Sequence, residues 1–155
     1  VEFFAEKGEM TINTTLKNFT FDAEVNGSKN HVKLKEYRDI MKRFNNQNLD
    51  LIKENFEAQQ ENDEEKILAV NKKYENSLRR KYLYTVNFAI NNKDYEVAPY
   101  IMLTEAFDAN TKYLDTVYNS LGKEVRKSKY GKELKSFIKE REKLDKLEEK
   151  VEKRD

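Results

Sequence analysis

The side chains able to do chemistry here are few in kind, and none falls in a catalytic spacing. His31 is the only histidine and stands beside the turn expected before the first long helix. A zinc site or an imidazole base needs further ligands or an orienting carboxylate held around the ring. Neither HxxxH nor HExxH occurs, so His31 reads as a surface or capping residue. The absence of cysteine excludes disulfides, thiolate nucleophiles, iron–sulfur clusters and Cys-ligated zinc. The acidic run Glu61-Asn62-Asp63-Glu64-Glu65 has the charge for calcium, but Lys66 stands where an EF-hand loop needs its sixth-position glycine. The run reads instead as a helix start, where carboxylates meet the positive end of the dipole. Carboxylates are so abundant that their mere presence identifies no glycosidase-like pair. With four glycines and no GxSxG, GxGxxG or Walker-type loop, nothing cradles a phosphate or seats an activated serine. No catalytic, cofactor-binding or metal-binding residue is expected, and no cofactor.

Charge narrows the partners. Thirty basic residues nearly balance 29 acidic ones, giving a net charge of +1 and no global attraction to nucleic acid or anionic membrane. Between Lys123 and Lys143, however, nine basic residues meet four acidic ones. Lys123, Arg126, Lys127, Lys129, Lys132, Lys135 and Lys139 interleave there with Tyr130 and Phe137, a mixture that serves single-stranded nucleic acid in some proteins. Leu134, Phe137 and Ile138 fit a core-facing stripe, which makes the lysines its solvated face, so nucleic acid is not expected as a partner. The sequons at Asn13, Asn18 and Asn26 read as incidental to short Asn- and Thr-rich strands.

The elements that position these residues follow from periodicity. Residues 1–29 read as a partial sheet. Val1, Phe3 and Phe4 open a strand; Met10, Ile12 and Thr14 alternate as a half-buried one; Phe19, Phe21, Ala23 and Val25 alternate again. So few strands need helices or further strands to cover them. From Asn30 the period becomes helical. Leu34, Tyr37, Met41, Phe44, Asn48 and Leu51 make one seam, widened by Ile40, Ile52 and Phe56, and the helix ends near Gln60. Asn62 with Glu65 suggests a capping box for a second helix, which carries Ile67, Val70, Tyr74, Leu78 and Tyr82 to about Ile90. The short link predicts an antiparallel hairpin. Pro99 fits the first turn of a third helix bearing Tyr100, Ile101, Leu103 and Phe107. Leu114, Val117, Tyr118 and Leu121 mark a fourth, stopped by Gly122. Ser128 caps a last helix that buries Leu134, Phe137 and Ile138, then Leu144, with Leu147 and Val151 as further candidates. The fold class is α+β, mostly α. The expected division is 1–29 as partial sheet, 30–143 as helical region and 144–155 as charged extension or linker.

Several short segments in order resemble a known family. Gly8-Glu9-Met10-Thr11-Ile12 looks like its penultimate strand, and Val25-Asn26-Gly27-Ser28 with Asn30 and Tyr37 like its entry into a long helix. Asn87 to Asn92, then Ala98-Pro99-Tyr100-Ile101, is similar to its junction of long and short helices. Leu121, then Ser128-Lys129-Tyr130-Gly131-Lys132 with Leu134 and Ile138, is similar to the stretch before its last helix. The family is the N-terminal domain of unknown function that precedes thioredoxin-like domains of the alkyl hydroperoxide reductase/thiol-specific antioxidant group in Bacteroidota envelope proteins. The resemblance implies a periplasmic or outer-membrane-associated location, membrane contact only through a lipid anchor outside this segment, and a Cys-x-x-Cys domain following it. It carries over no redox residue. The expected role is a non-catalytic accessory domain that recognises a protein partner or client; the alternative is a free-standing structural or partner-binding subunit of an outer-membrane assembly. The expected partner surface comprises Tyr100, Ile101 and Phe107 with Lys127, Lys129 and Lys132.

Overall fold

The computed structural model describes residues 3–17 and 23–152, the last five by backbone alone. Two short antiparallel strands, β1 (Thr11–Asn13) and β2 (Glu24–Asn26), pair Ile12 opposite Val25. Among the described residues six helices follow: α1 (Lys29–Glu61), α2 (Glu64–Asn91), α3 (Val97–Glu105), α4 (Thr111–Ser120), α5 (Lys123–Lys127) and α6 (Lys129–Glu152). The fold is α+β and mostly α, as the periodicity predicts. Phe19 and Phe21, expected in a strand, lie outside the described residues, as do Val1 and the side chain of Val151.

The chain forms two compact units that divide within α1 and α2. One takes the strands, α1 through Leu34, and everything from Thr85 onward; the other is Lys35–Tyr84. A helix of α1's length spans roughly 50 Å at 1.5 Å per residue, so its two ends belong to different cores.

The first unit builds its core from α3, α4, α5 and α6 with the adjoining ends of α1 and α2. Ile101, Met102, Leu114, Val117 and Leu134 are fully buried, and alanines at 89, 98 and 106 let backbones approach closely. Only Val25 of the strand pair is buried; all three β1 residues are exposed. The expected half-buried strand is therefore a ribbon edge, because no described element covers Ile12. Phe3 and Phe4, expected to open a strand, belong to no strand. Gly27 (φ +88°) turns the chain from β2 into α1 against the Glu9 carbonyl, where a Cβ has no room.

The second unit is a helical hairpin. Its seam buries Tyr37, Met41, Leu51, Ala58 and Val70, with Tyr84 stacked on Tyr37 (centroids 6.3 Å apart). Two polar rungs fix the register: Ser77 donates to Asn48 (2.6 Å) and Asn55 donates to Asn71 (2.8 Å). The link between the helices corrects the expected capping box. Asn62 (φ +54°) is the left-handed residue that ends α1: its N–H donates to the Gln59 carbonyl and that of Asp63 to the Ala58 carbonyl, a Schellman motif. Asp63 is the cap of α2, accepting from Lys66 N at 2.9 Å. Ile52 and Phe56, expected to widen the seam, are exposed.

Two further expectations are corrected in the C-terminal half. Leu144 and Leu147 are more than half exposed, because they lie about 100° and 160° around α6 from the Leu134/Ile138 stripe; α4 still reaches this part of α6, where Thr111 donates to Asp145 at 2.7 Å. Gly122 (φ −60°) is not a left-handed stop. It caps the short helix α5, which the sequence reading lacked, and donates its N–H to the Lys93 carbonyl.

Candidate functional site: an aromatic cleft

The site forms where three chain segments of the first unit are fixed together. The entry to α1 is the first anchor. Ser28 accepts from His31 N at 2.9 Å, and Glu6 accepts from Asn30 N at 3.2 Å, so two side chains satisfy the first-turn N–H groups. His31 thus sits half-buried in the first turn, and the residue that caps that turn is Ser28. The Asn30 amide donates to Glu6 Oε1 at 2.5 Å and its Oδ1 accepts from Val97 N at 2.8 Å. One buried asparagine thereby joins the N-terminal segment, α1 and the start of α3. Burial pushes the Glu6 carboxyl up, but hydrogen bonds from the Ser28 hydroxyl and from Asn30 outweigh it and hold the group below its ordinary value.

The second anchor is the α5–α6 corner. Ser128 ends α5 with its N–H and begins α6 with its hydroxyl, which accepts from Gly131 N at 3.2 Å. Gly131 packs against the Val125 carbonyl and Arg126 Cα, so α6 starts in backbone contact with α5. This contact turns Tyr130 toward α3.

Phe4, Tyr100 and Tyr130 then meet. Phe4 lies edge-on to Tyr100 (5.5 Å between centroids, 86°) and tilted against Tyr130 (5.5 Å), and Tyr100 meets Tyr130 at 5.1 Å and 69°. All three spacings fall within the favourable edge-to-face range. Beside this triad opens a cleft of about 480 Å³, lined also by Phe3, Ala5, Leu34, Glu96 and Lys129. Lys129 Nζ stands 5.4 Å from the Tyr130 centroid and 4.0 Å from Glu133. The cleft thus offers π faces, two phenol groups, one cation and one carboxylate.

The expected surface residues scatter. Tyr100 and Lys129 line the cleft together. Ile101 is 0% exposed and belongs to the core, because its neighbour Tyr100 points about 100° away around the helix. Phe107 is exposed, but it lies beyond the end of α3 and outside the cleft. Lys127 pairs with Glu124 at 3.1 Å, and Lys132 is exposed on α6. Elsewhere in the basic stretch, Arg126 and Lys135 flank the Tyr118 ring at 5.7 and 6.0 Å. Sequence reasoning missed Phe4 and Glu96. Only their proximity in space marks them, while Tyr130 was visible as an aromatic among lysines.

Among the described residues, no three His, Cys, Asp or Glu side chains gather as a metal-holding group, and no helix is long and apolar enough to cross a membrane. No protein-family model, curated protein or solved structure matches the chain.

Proposed function

We propose that this chain is a non-catalytic interaction module of a bacterial cell-envelope protein, an accessory to a thioredoxin-like lipoprotein, and that the Phe4/Tyr100/Tyr130 cleft is where it grips a protein partner. The cleft carries the reading. An aromatic wall recognises an apolar or aromatic side chain by area and ring geometry. Glu96 and Lys129 add one charge of each sign, suited to the flanking backbone and side chains of an extended peptide. Small pockets of this kind, mostly apolar with a few convergent polar groups, are the usual form of a recognition site. The envelope assignment rests on the family resemblance.

Panning a displayed-peptide library on the purified chain tests the cleft. Peptides with one aromatic or large aliphatic anchor are expected, binding at least about tenfold more weakly to Tyr130→Ala, a loss of about 1.4 kcal/mol. Enriched peptides that bind the variant and the parent equally would refute the site. Fractionating cells that express the full-length gene tests location: a purely cytosolic product removes the envelope reading.

A further inference from the structure

We infer that the exposed apolar face of the helical hairpin docks a second copy of this chain, the two hairpins lying face to face with α1 of each along α2 of the other. At 100° per residue, Leu49, Ile52 and Phe56 share one stripe of α1, turned to one side of the seam. On α2, Leu68 shares a stripe with Asn71. A groove of about 290 Å³, lined by Leu51, Ile52, Asn55, Val70, Asn71 and Tyr74, joins the two stripes into one face. The Glu54–Lys73 ion pair, 3.1 Å, takes the opposite side of the seam. Leu49, Ile52, Phe56 and Leu68 are 64%, 53%, 59% and 71% exposed. Apolar side chains clustered in one patch at this exposure mark an interface.

Charge placement selects both the occupant and its orientation. Beside the apolar stripe α1 carries Lys42 and Lys53, while Glu64 and Glu75 share the stripe of Leu68 on α2. Lys72 and Arg79 turn further outward. When α1 lies along the partner's α2, lysines meet glutamates; when α1 lies along α1, lysines meet lysines. The rungs Asn48–Ser77 and Asn55–Asn71 set Lys53 within one turn of Glu75 in height. A two-fold axis along the bundle preserves those heights, so Lys53 of one copy faces Glu75 of the other.

The area is sufficient for a weak dimer. At on the order of 100 Å² of exposed surface per residue, the four residues of each copy bring about 800 Å² of apolar surface to the contact. Homodimer interfaces are about 65% apolar, which implies about 1,200 Å² in total. That is the lower end of specific association.

Sedimentation from about 1 µM to about 1 mM is expected to show monomers passing into dimers, without larger species, because the contact is isologous. Phe56→Glu, and separately Leu68→Lys on the other helix, should each raise the dissociation constant at least a hundredfold while circular dichroism stays unchanged. The chain lacks cysteine, so single substitutions report geometry. An oxidised mixture of Lys53→Cys and Glu75→Cys chains should cross-link faster than either alone. A monomer throughout the range, a dimer indifferent to both charge insertions, or preferential cross-linking of Lys53→Cys with itself would overturn the inference.

Discussion

Replacing Asn30 by alanine is expected to destabilise the first unit by about 3–5 kcal/mol. Its side chain is buried and serves two partners: Val97 N, which donates to it at 2.8 Å, and the Glu6 carboxylate, to which it donates at 2.5 Å. Truncation leaves the buried Val97 N–H without an acceptor, at about 1–3 kcal/mol, and removes a hydrogen bond to a charged group contributing about 1.5–3 kcal/mol. Against a total stability of about 5–15 kcal/mol this is a large fraction. Urea unfolding followed by circular dichroism should show a lower midpoint at unchanged slope. The thermal midpoint should fall by about 10 °C, at about 2–4 °C per kcal/mol for a chain of this size. A loss below about 1 kcal/mol would refute the claim that Asn30 joins the three segments.

The isosteric Asn30→Asp separates electrostatics from shape. One Asp oxygen still accepts from Val97 N, while the other faces the Glu6 carboxylate, and two carboxylates in one site retain a proton. In the parent protein the folded Glu6 value lies below its ordinary 4.5. Its contribution is therefore present above that pH and lost as pH falls through the depressed folded value. In the variant the shared proton raises the folded value. Stability is then greatest below the ordinary carboxylate range and declines as pH rises through the raised value. The stability gap between the two proteins should widen from about pH 4 to about pH 7. Parallel pH profiles would show that the two side chains do not meet.

Gly131→Ala should cost about 1–3 kcal/mol by urea titration, since the new Cβ meets the Val125 carbonyl and Arg126 Cα of α5. A gain of about 0.5–1 kcal/mol, as for an ordinary exposed helical glycine, would refute that contact. Asp63→Ala should cost about 1 kcal/mol through loss of the α2 cap, whereas Asn62→Gly should be neutral or stabilising because the position is left-handed; the reverse order would restore Asn62 as the cap. Leu134→Ala should cost about 2–5 kcal/mol, while Leu144→Gln and Leu147→Gln should stay within about 0.5 kcal/mol in the same assay.

The long helices were legible because their period runs for many turns: α1 and α2 end within one or two residues of the expected positions. Local rules failed where two of them competed. Asn62 satisfies both a cap pattern and the left-handed end of a helix, and the Schellman bonds of the preceding turn decide the matter. Leu144 and Leu147 read as core positions of the last helix, but at 100° per residue they lie about 100° and 160° around α6 from the Leu134/Ile138 stripe, so the periodicity of that stripe leaves them on other faces. The cleft was half legible. Tyr100 and Lys129 stood out as aromatic and basic residues near helix starts. Phe4 is brought to them by Glu6 and Asn30, 24 positions apart in sequence, and no spacing rule spans that distance.

The seam of the hairpin accounts for how a chain with 37% hydrophobic residues sustains two units, and it also sets what the second unit lacks. Asn48–Ser77 stands among the seam's apolar layers and Asn55–Asn71 at its exposed edge. Each rung fixes register but contributes only about 1 kcal/mol net, less than a buried leucine. Two helices touch along one line, so Leu49, Ile52, Phe56 and Leu68 have no third helix in the unit to cover them. If a second copy covers them, association and local stability are one equilibrium, and opening of the hairpin costs more as dimer forms. Amide exchange from Lys35 to Tyr84 should therefore slow as concentration rises above the dissociation constant, by about threefold for each tenfold rise once opening requires dissociation, because the monomer fraction falls as the square root of total concentration. Exchange in α3 and α4, within the other unit, should stay constant. Equal slowing of both units would indicate general association of the whole chain, and no change in either would leave the hairpin stable on its own.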